Sequence, residues 1–299
     1  DPSELNPALR SRAAEVFFEP LAPVDIQRII GQAAGKLELE LGEGVAELIA
    51  NYTIEGRKAT NILADAYGVA LYKNPAAKQV CLSVDDVKEV VQLGRLSPYA
   101  LTRASQTQEV GKIFGLGVSN FLGSLIEIEA VAFPAREKGR GKIRFNETAG
   151  SMAKDSVFNA ASVVRRVTGE DMGDYDLHVN VVGGGLIDGP SAGLAILLAI
   201  TSTITNRPIY QDLAVTGEVS IRGKVKAVGG IPEKVYGAKQ ASIRRVLVPQ
   251  ENALDVPAGS GMEIIAVSTV EEAMGLAFAP EEGKGSLQVP IKRPGASLN

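Results

Sequence analysis

The chain has no tryptophan, one histidine and one cysteine in 299 residues. A lone Cys81 excludes an internal disulfide, and Cys81 with His178 cannot supply the four ligands of a structural zinc site. Cys81 lies in the apolar run QVCLSV, where a free thiol reads as packing rather than as a nucleophile, and so sparing a use of cysteine fits a reducing cytoplasm. Long apolar runs are missing too. The run LAILLAI stops at Thr201, far short of the roughly 18 residues of a membrane span. Net charge is −4, with both signs interspersed, so there is no electrostatic footprint for nucleic acid or an anionic membrane. Nor does a phosphate loop of the form G-x-x-x-x-G-K-[ST] occur, so these residues by themselves are not expected to hydrolyse ATP and need no cofactor.

What is present is apolar mass: 45% of the residues are hydrophobic, enough for two cores. The opening text DPSELNPALRSR reads as cut from a longer protein. From residue 23 to 96 apolar positions recur three and four apart, as at Ile62, Ala66, Val69 and Ala70, which predicts a small helical bundle. Asp25, Glu43 and Asp85 are expected in first helical turns, where the helix dipole favours them. The polar residues 97–110 read as a linker. Beyond them the texture turns to short strands, glycine turns and helices, with LIEIEAV alternating so that Glu127 and Glu129 share a face. Helices are expected at 152–167, 190–204 and from Pro232, and DLAVTGEVSIRGKVKAV reads as hairpin-like. The expected class is therefore α+β or mixed α/β without regular βαβ alternation: a helical part, then an α/β domain over 111–278, then a loose tail over 279–299.

Two sites carry chemistry. In LIDGPSAGLAILLAI, Asp188 suits an N-cap and Pro190 the first helical turn, which puts Ser191 at a helix N-terminus. Backbone N–H groups there can hold an oxyanion, and Ala192 and Gly193 leave room for a peptide. By local pattern alone, DGPS is equally a capped helix start. In VGGIPEKVYGAKQA, a helix opening at Pro232 aligns Lys234 with Ala238 and Ala241 on a small apolar face, so Lys234 is a candidate for a buried amine. A desolvated lysine can take a serine's proton. Thr216, in VTGEVS, could hold that amine through its hydroxyl, or be only a hairpin threonine. Two other arrangements compete: Ser151 and Lys154 spell S-x-x-K, without the S-D-N or K-T-G that accompany it in penicillin-recognising enzymes, and His178 shares a strand face with Asp176, leaving a Ser-His-Asp triad formally open.

The segments GGGLIDGPSAGLA, VTGEVSIRGKV and VGGIPEKVYGAKQA, with Ser191 and Lys234 43 positions apart, resemble the proteolytic domain of the Lon family over roughly residues 111–278. The resemblance implies Ser191 as nucleophile, Lys234 as general base, Thr216 as support for the lysine, and Asp188 as an acidic neighbour of the dyad. Leu186 and Ile187 stand where that family usually has Pro-Lys, which is similar to the shorter Lon-B branch of bacteria. Upstream, NPALRSRAAEVFFEPL resembles the end of an AAA+ large subdomain over residues 1–22, with Arg12 as arginine finger and Arg10 as the alternative. YTIEGRKATNILADA resembles the AAA+ small helical subdomain, placing Arg57 at the sensor-2 position; both arginines would offer cations to phosphate. What the resemblance implies is an ATP-dependent endopeptidase that assembles as a hexameric ring in the cytoplasm and degrades unfolded proteins, with ATP and magnesium used by the full-length protein. From a different class comes the alternative of a non-catalytic ring-forming scaffold that serves a motor.

Overall fold

A computed structural model gives the fold and describes residues 6–10, 12, 14, 21–75, 80–96, 98, 104–119, 122–145, 150–182 and 189–280. After a short turn of helix, α1 (Pro7–Arg10), the first unit consists of α2 (Pro23–Lys36), α3 (Val45–Ala50), α4 (Gly56–Lys73) and α5 (Val84–Leu93). Ile26, Ile30 and Ala34 of α2 and Ala59, Ile62, Leu63, Ala66 and Ala70 of α4 face one core, as the three-and-four spacing predicts. Two-residue strands β1 (Glu40–Leu41) and β2 (Cys81–Leu82) pair in parallel across it. Alternation along β2 turns Leu82 inward and leaves Cys81 exposed, which corrects the expectation of a packed thiol. Glu43 also differs from expectation: α3 begins after Gly44, whose φ of 79° ends the turn, so Glu43 precedes the helix and Glu47 is its first-turn acid. Asp25 and Asp85 do lie in first turns.

The second unit is built on a seven-stranded sheet with the order β13-β12-β9-β4-β5-β7-β6. Its strands are β4 (Lys112–Ser119), β5 (Leu122–Pro134), β6 (Ile143–Phe145), β7 (Tyr175–Val181), β9 (Leu213–Val215), β12 (Arg245–Pro249) and β13 (Glu263–Val267). Strands β13, β12, β9 and β4 run in parallel, β5 is antiparallel to both β4 and β7, and β6 is parallel to β7, so the class is mixed α/β. Ahead of β4, β3 (Gln108–Glu109) pairs with β8 (Ile209–Tyr210), while the N–H groups of Ala104 and Ser105 donate to the carbonyls of Ala241 and Gln211. The polar stretch before the sheet is thus stitched onto it from residue 104.

Helices α6 (Ser151–Thr168), α7 (Gly193–Thr205) and α9 (Val270–Ala277) cover one face, and α8 (Ile231–Gln240) covers part of the other. Alternation assigns the central strands to both cores: Ile113, Leu213, Val215 and Leu247 face α7, while Phe114, Leu116, Ala214 and Val246 face α8. Helix α7 is buried from Gly193 to Ser202, and each of its leucines and isoleucines contributes about 1.5–3 kcal/mol by leaving water. The hairpin-like segment resolves differently from its sequence reading. Leu213–Val215 is drawn into the sheet because both its faces are covered, and only β10 (Glu218–Val219) and β11 (Val225–Lys226) form the hairpin. Thr216 therefore lies between β9 and β10 rather than in a hairpin. Among the described residues no helix is long and apolar enough to cross a membrane.

Candidate active site

Ser191 and Thr216 meet where the chain leaves β9, and Lys234 lies on α8, which packs on β4 as the Ser191 turn does. Ser191 occupies a 3-10 turn, Pro190–Ala192, directly ahead of α7, and is half-buried. That turn is tied to the segment leaving β9: the Ser191 carbonyl accepts from Gly217 N–H at 3.0 Å and from Thr216 Oγ1 at 3.4 Å, while Leu194 N–H donates to the Gly217 carbonyl at 3.0 Å. Close packing enforces the tie. A Cβ on Gly217, whose φ is 156°, would stand 2.7 Å from Val225 Cγ1, and one on Gly193 would stand 3.2 Å from the Val219 nitrogen. Thr216 itself is fully buried. Among the described residues its hydroxyl donates to the serine's backbone carbonyl.

Lys234 sits in the first turn of α8, its N–H donating to the Gly230 carbonyl at 3.0 Å. It is 3% exposed, and burial pushes its amine down to about 8, against the upward pull of the Glu233 carboxylate beside it. Ala238 and Ala241 on the same side are buried, which bears out the small apolar face read from the sequence. Helix α8 is held there by two glycines that meet backbone to backbone: a Cβ on Gly123 of β5 would lie 1.7 Å from the Glu233 carbonyl oxygen, and one on Gly237 would lie 2.3 Å from the Gly123 carbonyl carbon. Gly230, in the left-handed region at φ 71°, lies against Val118 near the end of β4. The serine turn also packs on β4, from the side that α7 covers. Sequence reasoning missed Gly123 and Gly237. Their signal was a glycine inside a strand pattern and another inside a helix, which marks close backbone approach.

Asp188 lies outside the described residues. Arg12 and Arg57 are exposed, Arg57 on α4 of the helical unit. Ser151 and Lys154 open α6 and are both exposed, so that lysine is not desolvated as a base must be. His178 is exposed on β7, its neighbour Asp176 accepts from Lys142 N–H at 3.0 Å, and among the described residues no hydrogen bond joins His178 to Ser191. No group of three metal-binding side chains occurs among the described residues.

A half-buried serine at a helix start and a buried lysine with a depressed pKa thus pack against the same strand of a mixed sheet. Residues 84–280 match the family described as the Lon protease (S16) C-terminal proteolytic domain, and the chain belongs to that family. It is 37% identical to Lon protease 2 of Bacillus subtilis over 91% of this chain and 51% of that protein. Identity is 30% to the archaeal Lon protease of Thermoplasma acidophilum, over 89% of this chain and 42% of the relative, and 31% to the Lon protease of Haemophilus influenzae, over 88% and 34%. The chain thus spans about half or less of the length of these curated relatives.

Proposed function

We propose that the chain is the proteolytic part of an ATP-dependent serine endopeptidase, with Ser191 as nucleophile and Lys234 as general base. The observation that carries this reading is Lys234 itself, an amine 3% exposed and held by burial at about 8, on a helix that packs against β4 as the Ser191 turn does. Lysine is ordinarily solvated, and burying one without an ion pair destabilises the fold unless the site uses its neutral form.

Neutral Lys234 Nζ takes the proton as Ser191 Oγ attacks the peptide carbonyl carbon. The oxyanion that forms is held by backbone N–H groups at the amino end of the helical turn, those of Ser191 and Ala192. The C–N bond breaks, the lysine returns its proton to the leaving amine, and an ester to Ser191 remains. Water attacks the ester carbonyl as Lys234 takes its proton, the bond to Ser191 Oγ breaks, and the lysine passes that proton to the oxygen, leaving the serine hydroxyl and a carboxylic acid that ionises. Thr216 acts as a positioning residue that fixes the Ser191 carbonyl, and Asp188 acts as an acidic neighbour of the dyad.

The same proposal takes residues 23–96 as an AAA+ small helical subdomain, 1–22 as the end of the large one and 97–110 as linker. In the whole protein Arg12 and Arg57 then meet the phosphates of ATP with its magnesium, and the substrates are unfolded proteins drawn into a hexameric ring in the cytoplasm. A casein digestion with the wild-type chain, Ser191→Ala and Lys234→Ala tests the dyad. Both variants are expected to lose at least a hundredfold in rate, and equal activity in all three would overturn the dyad in favour of a scaffold.

A further inference from the structure

The two faces of the sheet are covered unequally. Alternation along β5 turns Ala130 and Ala132 toward the core under α7, and Val131 and Phe133 to the opposite face. Helix α8 covers that face only over β4 and the start of β5, where Gly237 meets Gly123, so Val131 and Phe133 are 48% and 63% exposed. The register extends each of them into a row across the sheet. Val131 stands opposite His178 of β7, and His178 opposite Arg144 of β6. Phe133 stands opposite Asp176, whose Oδ1 accepts from the N–H of Lys142, the residue just ahead of β6. All six are exposed. With the loop that joins β5 to β6 they bound a groove of about 740 Å³.

The acids around this groove are engaged within the chain, and most of its bases are not. Asp174 accepts from Gly139 N–H at 3.0 Å and lies 3.7 Å from Lys138 Nζ, Asp176 accepts from Lys142 N–H at 3.0 Å, and Glu137 pairs with Arg140 at 2.7 Å. Together with Gly141 N–H, which donates to the Gly173 carbonyl at 2.6 Å, these contacts fix the loop's backbone. Arg136, Lys142 and Arg144 make no ion pair among the described residues. In a chain of net charge −4 this is a local excess of cations, and it borders an exposed apolar strip on β5. A complementary ligand brings an apolar group to one side of the groove and anions to the other. A chain of phosphates, charged at every repeat, would lay charge on Phe133 and against Asp176. A peptide can alternate the two.

We propose that this face docks an extended acidic segment of the protein to be cleaved, an apolar side chain resting on Val131 and Phe133 while carboxylates further along meet Arg144, Lys142 and Arg136. Strands β5 and β6 are two strand spacings apart, roughly 10 Å at ~4.8 Å each. An extended chain covers that distance in about three residues. The motif is therefore an apolar residue with Asp or Glu about three positions away. The groove lies on the face opposite Ala192 and α7, so a docked segment leaves the Ser191 turn free and holds the rest of the substrate at a raised local concentration. This deepens the peptidase reading, resting on it for the substrate but not for the docking.

Docking is read apart from cleavage in a Ser191→Ala chain, by fluorescence anisotropy of a labelled peptide of the repeat Leu-Ser-Ser-Glu. Adding Lys142→Glu/Arg144→Glu is expected to weaken its binding at least tenfold and to reverse the preference toward a peptide with lysine for glutamate, which also shows that the variant is folded. Adding Phe133→Ser, or replacing the peptide's leucines by serine, is expected to cost at least fivefold. Equal affinity for the parent and charge-reversed chains would overturn the proposal. So would an oligodeoxynucleotide or inorganic polyphosphate that matches the peptide's affinity and displaces it, because the groove would then be a polyanion site. With Ser191 present, casein carrying the repeat at one end is expected to show a KM at least tenfold higher for Lys142→Glu/Arg144→Glu than for the wild-type chain, with kcat little changed. An unchanged KM would overturn the docking of substrate. A wild-type chain that binds the repeat and cuts nothing would overturn the dyad and leave the docking face standing.

Discussion

Gly123 of β5 and Glu233 of α8 meet at a separation that admits no side chain, since a Cβ on Gly123 would lie 1.7 Å from the Glu233 carbonyl oxygen. The contact is backbone on backbone, so nothing flexible can yield. It presses the first turn of α8 onto the sheet and thereby removes Lys234 from water. Gly123→Ala is expected to lift that turn, destabilise the domain by about 1–3 kcal/mol, as overpacking does, and lower peptidase activity at least tenfold at pH 8. Gly237→Ala tests the same crossing from the helix side, where a Cβ would stand 2.3 Å from the Gly123 carbonyl carbon. In either variant the pH–rate midpoint is expected to rise, because a rehydrated amine returns toward its ordinary range. An unchanged midpoint with lowered activity would show that the crossing supports the fold and not the lysine.

Lys234 predicts the pH dependence of catalysis and of stability together. Its neutral form is the base, so the rate of peptide cleavage is expected to fall about tenfold per unit below pH 8 and to level off above it. Lys234→Arg is expected to be inactive throughout, since a guanidinium does not give up its proton in this range. For stability, the folded chain holds an amine titrating near 8 while the unfolded chain's titrates near 10.5. Between these values the unfolded state binds the extra proton, so stability rises with pH across that window, and the full penalty is present below 8. Lys234→Met is therefore expected to raise the midpoint of urea unfolding at pH 7, by roughly 1–3 kcal/mol of stability, while abolishing cleavage. A variant less stable than wild type at pH 7 would count against a buried charge there.

Thr216 bonds the Ser191 carbonyl, a contact that predicts a split between two substitutions. Thr216→Ser keeps the hydroxyl and is expected to retain most of the activity, whereas Thr216→Val keeps the shape, loses the donor and is expected to lower kcat by about 10–100-fold with KM little changed. Removing one hydrogen bond of this kind costs about 1 kcal/mol in stability, so a loss confined to melting temperature would assign the residue to packing alone.

The class of the fold and the helix positions were legible because their causes are local. Periods of two and of about 3.6 residues in LIEIEAV and ILADAYGVA report burial directly, and the spacing of Lys234 with Ala238 and Ala241 marked a desolvated amine. Contacts between segments distant in the chain were not legible. A short apolar run such as Leu213–Val215 reads the same in a hairpin and in a central strand, which is why it left the hairpin for the sheet. Cys81 turned outward because a two-residue strand has one inside position, and Leu82 holds it. Gly123 meeting Glu233, and the basic groove at the β6 edge, depend on pairings that no window of sequence contains.

Within the helical unit, Asp86 ties α5 to α4 and should set its acid stability. Its carboxylate accepts from Ser83 N–H at 3.0 Å and from Lys73 Nζ at 2.8 Å, and Ser83 Oγ in return accepts from Asp86 N–H, completing a capping box. Burial pushes the Asp86 carboxyl upward, but the Lys73 ammonium and the Ser83 donors outweigh it, so its pKa ends below the ordinary aspartate value. A depressed carboxylate contributes stability above its unfolded pKa and loses it as pH falls through the folded one. Ser83→Ala is expected to cost about 1 kcal/mol at pH 7, the usual loss for an N-cap, and Asp86→Asn more, since it also leaves Lys73 without this partner. Thermal melting followed by circular dichroism should show the Asp86→Asn deficit shrinking as pH is lowered through the range in which the wild-type carboxylate takes up its proton. A deficit that stayed constant from pH 7 to pH 2 would mean that Asp86 acts through its shape and not its charge.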